Sequence, residues 1–367
     1  MREYLLIFVV AAAMTYASTP LVRRVAIRLG AFTAVRARDV HATPIPRLGG
    51  LGMLFGFAAA VLVASQLPFL SQLFVTNEIL GVLAGGAVIC LLGAVDDVWE
   101  LDWLTKIAGQ MIAAGIMAFG GVQLLSLPLG GVTVLPAPIL VTLTIIIVVI
   151  STNAVNLVDG LDGLAAGIVG ISALAFFAWS YLLSRTYDPP NVFSTATFIT
   201  AAIIGCCIGF LPHNFHPARL FMGDAGALLL GLLLAAATIS MTGTIDPSTN
   251  VGATSSTAAY LLPIVLPLAI LALPLLDGML AVIRRLRAGQ KPWQPDALHL
   301  HHRMLAIGHT HRRAVLLLYL WSGIVAMGAV SFAFVTGWVV FVAIGVLVVA
   351  ALALTLGLPK WHPSERL

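Results

Sequence analysis

Acidic residues are scarce in this chain, 15 Asp and Glu in 367 residues, yet several gather in short motifs at the ends of long apolar runs. The motifs are Asp96-Asp97, the stretch Asn153-x-x-Asn156-x-x-Asp159-Gly160-x-Asp162, and Gly223-Asp224. An ionised carboxylate at a bilayer centre costs about 3 kcal/mol even on the lenient insertion scale, so such residues need a partner or a function. Hard oxygen groups of this kind suit Mg²⁺, which takes one or two protein ligands and completes its shell with water and phosphate oxygens. Cations stand close by. Lys106 follows Asp97 by nine residues, and a later segment reads His299-Leu300-His301-His302-Arg303. Arg47 precedes Gly49 and Gly50, where missing side chains allow close backbone approach. Carboxylates, a divalent cation, Lys, Arg and His together make a site for phosphate chemistry.

Taken singly, each motif has a plainer reading. Asp96-Asp97 is also what a polar helix end looks like, and Asp224 after Gly223 is a good helix cap. Asn153 and Asn156 are also suited to hydrogen bonding between helices. The histidine cluster resembles a solvated loop, and Asp277 a structural acid two turns before Arg284. Only the placement of the whole set on one side of a membrane makes the functional reading strong.

That placement follows from composition. Sixty per cent hydrophobic residues, nine per cent charged residues and a mean hydropathy of +1.04 describe a polytopic membrane protein. Apolar runs long enough to span lie at about 3–22, 49–67, 78–95, 105–121, 138–158, 162–183, 194–212, 223–242, 257–283, 314–332 and 338–357. The expected fold is therefore all-α and integral to the membrane, a single domain over 1–367 with about eleven transmembrane helices. Placing the Arg-rich 23–47 segment in the cytoplasm puts 17 of the 19 Lys and Arg inside, with Arg2 and Arg185 outside. The N-terminus is then external and the C-terminus cytoplasmic. The loops at about 23–48, 96–104, 153–162, 213–224 and 284–313 fall together on the cytoplasmic side. Basic residues concentrated in short loops fit this positive-inside bias and argue against nucleic acid as a partner. Cys90, Cys206 and Cys207 lie within apolar runs and suggest neither a disulfide framework nor a zinc site. The first residues are read as a retained span rather than a cleaved signal, because the arginines after it would otherwise have to cross.

The motifs resemble those of the polyprenyl-phosphate N-acetylhexosamine-1-phosphate transferase superfamily, glycosyltransferase family 4. The matching segments are Pro46-Arg-Leu-Gly-Gly50, Asp96-Asp97 with Lys106, Asn153-Ala-Val-Asn-Leu-Val-Asp-Gly-Leu-Asp162, Phe221-Met-Gly-Asp224 and His299-Leu-His-His-Arg303. Arg47 and the His-x-His-His-Arg order resemble the WecA/TagO-like branch, which uses UDP-GlcNAc, more than the MraY branch with its three consecutive histidines. The resemblance implies that Asn156 and Asp224 approach Mg²⁺ (or Mn²⁺ in its place) on the diphosphate, and that Lys106 contacts phosphate. It further implies that Asp162, Asn214 and Phe221 shape a uridine pocket, and that His301, His302 and Arg303 bind phosphate or sugar. Asp96 or Asp97 would handle the lipid phosphate. Arg47, Asn153 and His299 join the substrate-binding set and Asp159 the catalytic set. The implied partners are UDP-GlcNAc, a polyprenyl phosphate and the bacterial plasma membrane, with a homodimer compatible. Alternatives are an MraY-like phospho-MurNAc-pentapeptide transferase or, from another class, an ion-coupled transporter. A CDP-alcohol phosphotransferase would require an Asp-Gly-x-x-Ala-Arg signature that is missing.

Overall fold

A computed structural model describes residues 1–33, 44–125, 135–186, 194–241, 307–334 and 337–357, with a few further positions between 283 and 304. The described residues form ten α-helices and one short 3₁₀ turn. They contain no strand, only an isolated bridge between Phe32 and Pro46. In order, the helices are α1 (Arg2–Leu29), α2 (Gly49–Gln66), α3 (Glu78–Trp99), α4 (Trp103–Phe119) and α5 (Ala137–Val158). Then come α6 (Leu164–Thr186), α7 (Thr195–Asn214), α8 (Gly223–Met241), α9 (His311–Phe334) and α10 (Trp338–Gly357). Among them, nine are long and apolar enough to cross a bilayer. The chain is a multi-pass membrane protein.

Ten of the eleven expected spans coincide with these helices; the 257–283 span and the 299–303 histidine loop lie outside the described residues. The span expected to end at 95 runs on to Trp99, so Asp96 and Asp97 belong to the last turn of α3 and not to the loop expected at 96–104. Two other bounds differ for clear reasons. The first helix runs on to Leu29, because arginines end an apolar run without ending a helix and Gly30 supplies the left-handed stop (φ 69°). The fourth has 17 residues, about 25 Å against a hydrocarbon core of about 30 Å. It begins at Trp103 because the Asp102 side chain caps it, accepting from the Leu104 and Thr105 N–H groups at 3.0 Å.

The centre of the bundle is α8, buried along almost its whole length. Its Gly- and Ala-rich sequence lets neighbouring backbones approach, the usual device where lipid supplies no hydrophobic drive. It packs on α2, α3, α5 and α7. Gly231 lies against Ser151 and Thr152 of α5, and the Ser151 hydroxyl donates to the Gly231 carbonyl at 2.8 Å. Around this centre, α1 packs on α2 and α7, α3 on α4, and α6 on α7 and α9. The last helix, α10, touches mainly α9 and presents most of its surface outward.

Candidate active site

The first turn of α8 is the point on which the acidic motifs converge. Gly50 of α2 and Gly93 of α3 sit so close to it that a methyl group on either would strike the backbone at Asp224–Gly226. A short backbone ladder fixes the register. Phe221 N–H donates to Pro46, while Gly49 and Gly50 N–H groups donate to the Phe221 and Met222 carbonyls at 2.9 and 3.0 Å. Leu48 takes a left-handed conformation (φ 84°) to enter this ladder, a strain of about 1–3 kcal/mol that the surrounding contacts must hold. This is why the Pro-Arg-Leu-Gly-Gly segment has its glycines where it does.

Helix N-termini leave unpaired N–H groups and a partial positive charge. Here Asp97 of α3 satisfies two of them. Its fully buried carboxylate accepts from Asp224 N–H at 3.0 Å and from Ala225 N–H at 3.2 Å, one bond to each oxygen. Gly223 must be glycine: its φ is +66°, and a side chain there would collide with that carboxylate. The Arg47 guanidinium stands 3.9 Å from Asp97 and is steadied by a 2.9 Å bond from Nε to Thr33 Oγ1.

Beside this cap lies a second, more open cluster. Lys106 Nζ bridges Asp96 Oδ2 at 2.8 Å and Asp224 Oδ2 at 2.5 Å, joining α3, α4 and α8. Asn156 of α5 points its amide at the same Asp224 oxygen, 3.4 Å away. Asp96 Oδ1 accepts from Leu101 N–H at 2.8 Å. Asp159 follows α5 and, among the described residues, has only the Arg47 charge acting to hold its carboxyl down. Desolvation, with the Asp224 and Asp97 carboxylates adding to it, pushes its carboxyl up to about 7. The oxygens of Asp224, Asp96 and Asn156 (its amide turned by half a rotation) make a hard donor set of the kind Mg²⁺ takes. Lys106 shows that positive charge is already favoured at that point.

The remaining predicted residues serve differently. Asn153 braces α5 to α4, its amide donating to Gln110 Oε1 and Val149 O at 2.7 Å each. Asp162 is buried and turned inward, accepting from His216 Nδ1 at 2.8 Å and Ala218 N–H at 3.0 Å. Asn214 is likewise buried and spans from Gly163 N–H to the Leu220 carbonyl at 3.0 Å each. Both therefore shape the 214–221 loop from within. Phe221 sits half-buried at the end of that loop, three residues before Asp224. His299, His301, His302 and Arg303 lie outside the described residues. Sequence reasoning passed over Gln110, His216 and Tyr319, whose partners are 43, 54 and 156 residues distant.

The family described as Glycosyl transferase family 4 matches residues 79–242, the interval from the start of α3 through α8. A decaprenyl-phosphate N-acetylglucosaminephosphotransferase of Mycolicibacterium smegmatis is 46% identical over 361 residues, covering 97% of this chain and 88% of the relative. The chain belongs to glycosyl transferase family 4. Other members of the family are similar over different extents. A probable undecaprenyl-phosphate N-acetylglucosaminyl 1-phosphate transferase of Bacillus subtilis is 32% identical, covering 93% of this chain and 88% of the relative. A phospho-N-acetylmuramoyl-pentapeptide-transferase of Desulforudis audaxviator is 31% identical but covers only 55% of this family 4 chain and 64% of the relative.

Proposed function

We propose that this protein transfers GlcNAc-1-phosphate from UDP-GlcNAc to a polyprenyl phosphate, releasing UMP and leaving polyprenyl-diphosphate-GlcNAc for a cell-envelope glycopolymer. The reading places the reaction at the cytoplasmic face of the bacterial plasma membrane. The observation that carries it is the meeting of Asp96, Lys106, Asn156 and Asp224 at the first turn of α8, a helix end where a phosphate can reach charge of both signs. The near full-length similarity to GlcNAc-phosphotransferases, against half-length similarity to the muramyl-pentapeptide enzyme, favours the GlcNAc branch.

The chemistry joins two anions. A lipid phosphate oxygen attacks the β-phosphorus of the nucleotide sugar as the bond to the UMP oxygen breaks. Two unit charges 4 Å apart repel by about 4 kcal/mol at an effective dielectric of ~20. Mg²⁺ held by Asp224 and Asn156 would neutralise diphosphate charge and polarise the reacting phosphoryl group. Lys106 lies between the carboxylates of Asp96 and Asp224 and is the cation nearest to both, so it can follow charge onto the departing phosphate. Asp97 has both oxygens committed to the α8 N-terminus and is therefore a poor nucleophile. One in-line step, rather than a phospho-aspartate, fits that geometry. A phosphate monoester is already largely dianionic at pH 7, so the acceptor needs no strong base.

The test uses membranes containing this chain, radiolabelled UDP-GlcNAc, polyprenyl phosphate and Mg²⁺. A butanol-soluble product and UMP exchange are expected, both lost on chelation and both nearly abolished in Asp224→Asn. Product formed only from the muramyl-pentapeptide nucleotide would move the chain to the other branch.

A further inference from the structure

The turn after the Asn153–Asp162 motif is tied to the far end of the described chain. Asp162 N–H donates to His311 Nε2 at 3.1 Å, and the Tyr319 hydroxyl donates to the Gly163 carbonyl at 2.5 Å. The His216 ring, which binds the Asp162 carboxylate, stacks on the His311 ring with centroids 4.3 Å apart and planes at 22°. Arg312 then donates from Nε and Nη2 to the His216 carbonyl at 3.2 and 3.0 Å. Gly163 is held at φ +78°, where a side chain would press on Phe215 and the Tyr319 hydroxyl. Two residues of the turn thus meet three separate elements, and the first three turns of α9 supply the outer clamp. His311, Arg312 and Tyr319 lie beyond the 79–242 interval that the family match covers.

Asp162, His216 and His311 bring metal-capable atoms within 4.8 Å of one another. Their geometry favours a brace over a cation site: the rings stack instead of converging, and Nε2 of His311 and Oδ2 of Asp162 already accept protein N–H groups. The loop so braced ends in Phe221, a half-buried residue three positions before Asp224. The family resemblance assigns Phe221 to the uridine pocket, and an aromatic ring is the side chain on which a nucleobase stacks. Nothing in this clamp touches Asp96 or Lys106.

We infer that His311 and Tyr319 are positioning residues for the nucleotide-sugar half of the reaction, acting through the 162–163 turn and the 214–221 loop. The inference rests on the transferase reading. Initial rates would be measured with UDP-GlcNAc varied at saturating polyprenyl phosphate, and then the reverse, for His311→Leu, His311→Gln and Tyr319→Phe. His311→Leu should raise the nucleotide-sugar KM about tenfold, with kcat and the lipid KM within about twofold of the parent. His311→Gln, whose amide oxygen can accept the Asp162 N–H, should recover most of that loss. Tyr319→Phe should move the same KM in the same direction by less. An unchanged nucleotide KM in His311→Leu, or an equal loss for both substrates without rescue by Gln, overturns the inference. If His311→Leu fails to accumulate, Tyr319→Phe decides by the same criterion, since it removes a single hydroxyl. An unmodified protein without UDP-GlcNAc-dependent product would instead refute the transferase reading. Stabilisation by UMP in a thermal-shift assay then tests the clamp: loss in His311→Leu supports it and retention overturns it.

Discussion

Two adjacent aspartates do different work at this site. Asp97 is fully buried and holds backbone N–H groups of α8, whereas Asp96 is partly exposed and shares Lys106 with Asp224. Asp97→Asn would turn an amide NH₂ against a second N–H donor. It should lower stability by about 1–3 kcal/mol as well as activity. Asp96→Asn should stay within about 1 kcal/mol of the parent, because Lys106 retains Asp224. Its transfer rate should nevertheless fall by at least about a hundredfold. Thermal unfolding in detergent beside turnover separates the two, and the reverse ranking would remove the division of labour. Asp159 adds a pH dependence. Its carboxyl is raised from 3.8 to about 7, so the folded state holds that proton more firmly than the unfolded chain. The resulting penalty is absent below the unfolded value, grows as pH rises and levels off above about 7. Asp159→Asn should therefore melt higher than the parent at about pH 8 in magnesium-free detergent, with the gap shrinking towards about pH 5. Residue types alone pointed to these acids, since so few occur in so apolar a chain. They gave no sign of which oxygen faces which N–H, because those partners lie more than a hundred residues away.

At the level of helices, long apolar runs fix where spans begin and end, and α2, α3, α5 and α7 followed that pattern closely. What hydropathy leaves open is which helix occupies the middle. That is settled by small residues, whose use is visible only once the neighbouring backbone is in place. Gly93 and Gly115 make the contrast. A methyl group on Gly93 would strike the α8 backbone, while one on Gly115 meets nothing within 4 Å. Gly93→Ala is expected to cost about 1–3 kcal/mol by overpacking and to remove transfer by displacing Asp224. Gly115→Ala should be neutral or stabilising by up to about 1 kcal/mol through helix propensity. Parallel melting curves and transfer assays check both. Equal behaviour would mean that α3 and α8 do not meet at this point.

For the whole molecule, the proposed topology requires the α3–α4 and α7–α8 connections to face the same compartment. Glu100 and Arg219 are exposed positions in those connections, and Cys90, Cys206 and Cys207 are all buried. A membrane-impermeant maleimide should therefore label Glu100→Cys and Arg219→Cys alike in inside-out vesicles and spare both in right-side-out vesicles. Labelling of the two from opposite sides would break the site apart. The positive-inside bias is what leads charge counting to expect this arrangement. The clamp from α9 was not legible in the sequence, since no periodicity links a histidine near residue 311 to a turn at 162.

The socket that receives α8 also has a consequence for biogenesis. Chains are made from the N-terminus, so Gly50, Gly93 and Asp97 enter the membrane long before residues 223–226 exist. Through that interval a carboxylate destined for a dry interior has no helix end to grip. The half-built bundle must keep it near water, or under the care of an insertase, until its plug is translated. The surroundings of that buried acid are thus completed only when a single late helical turn arrives.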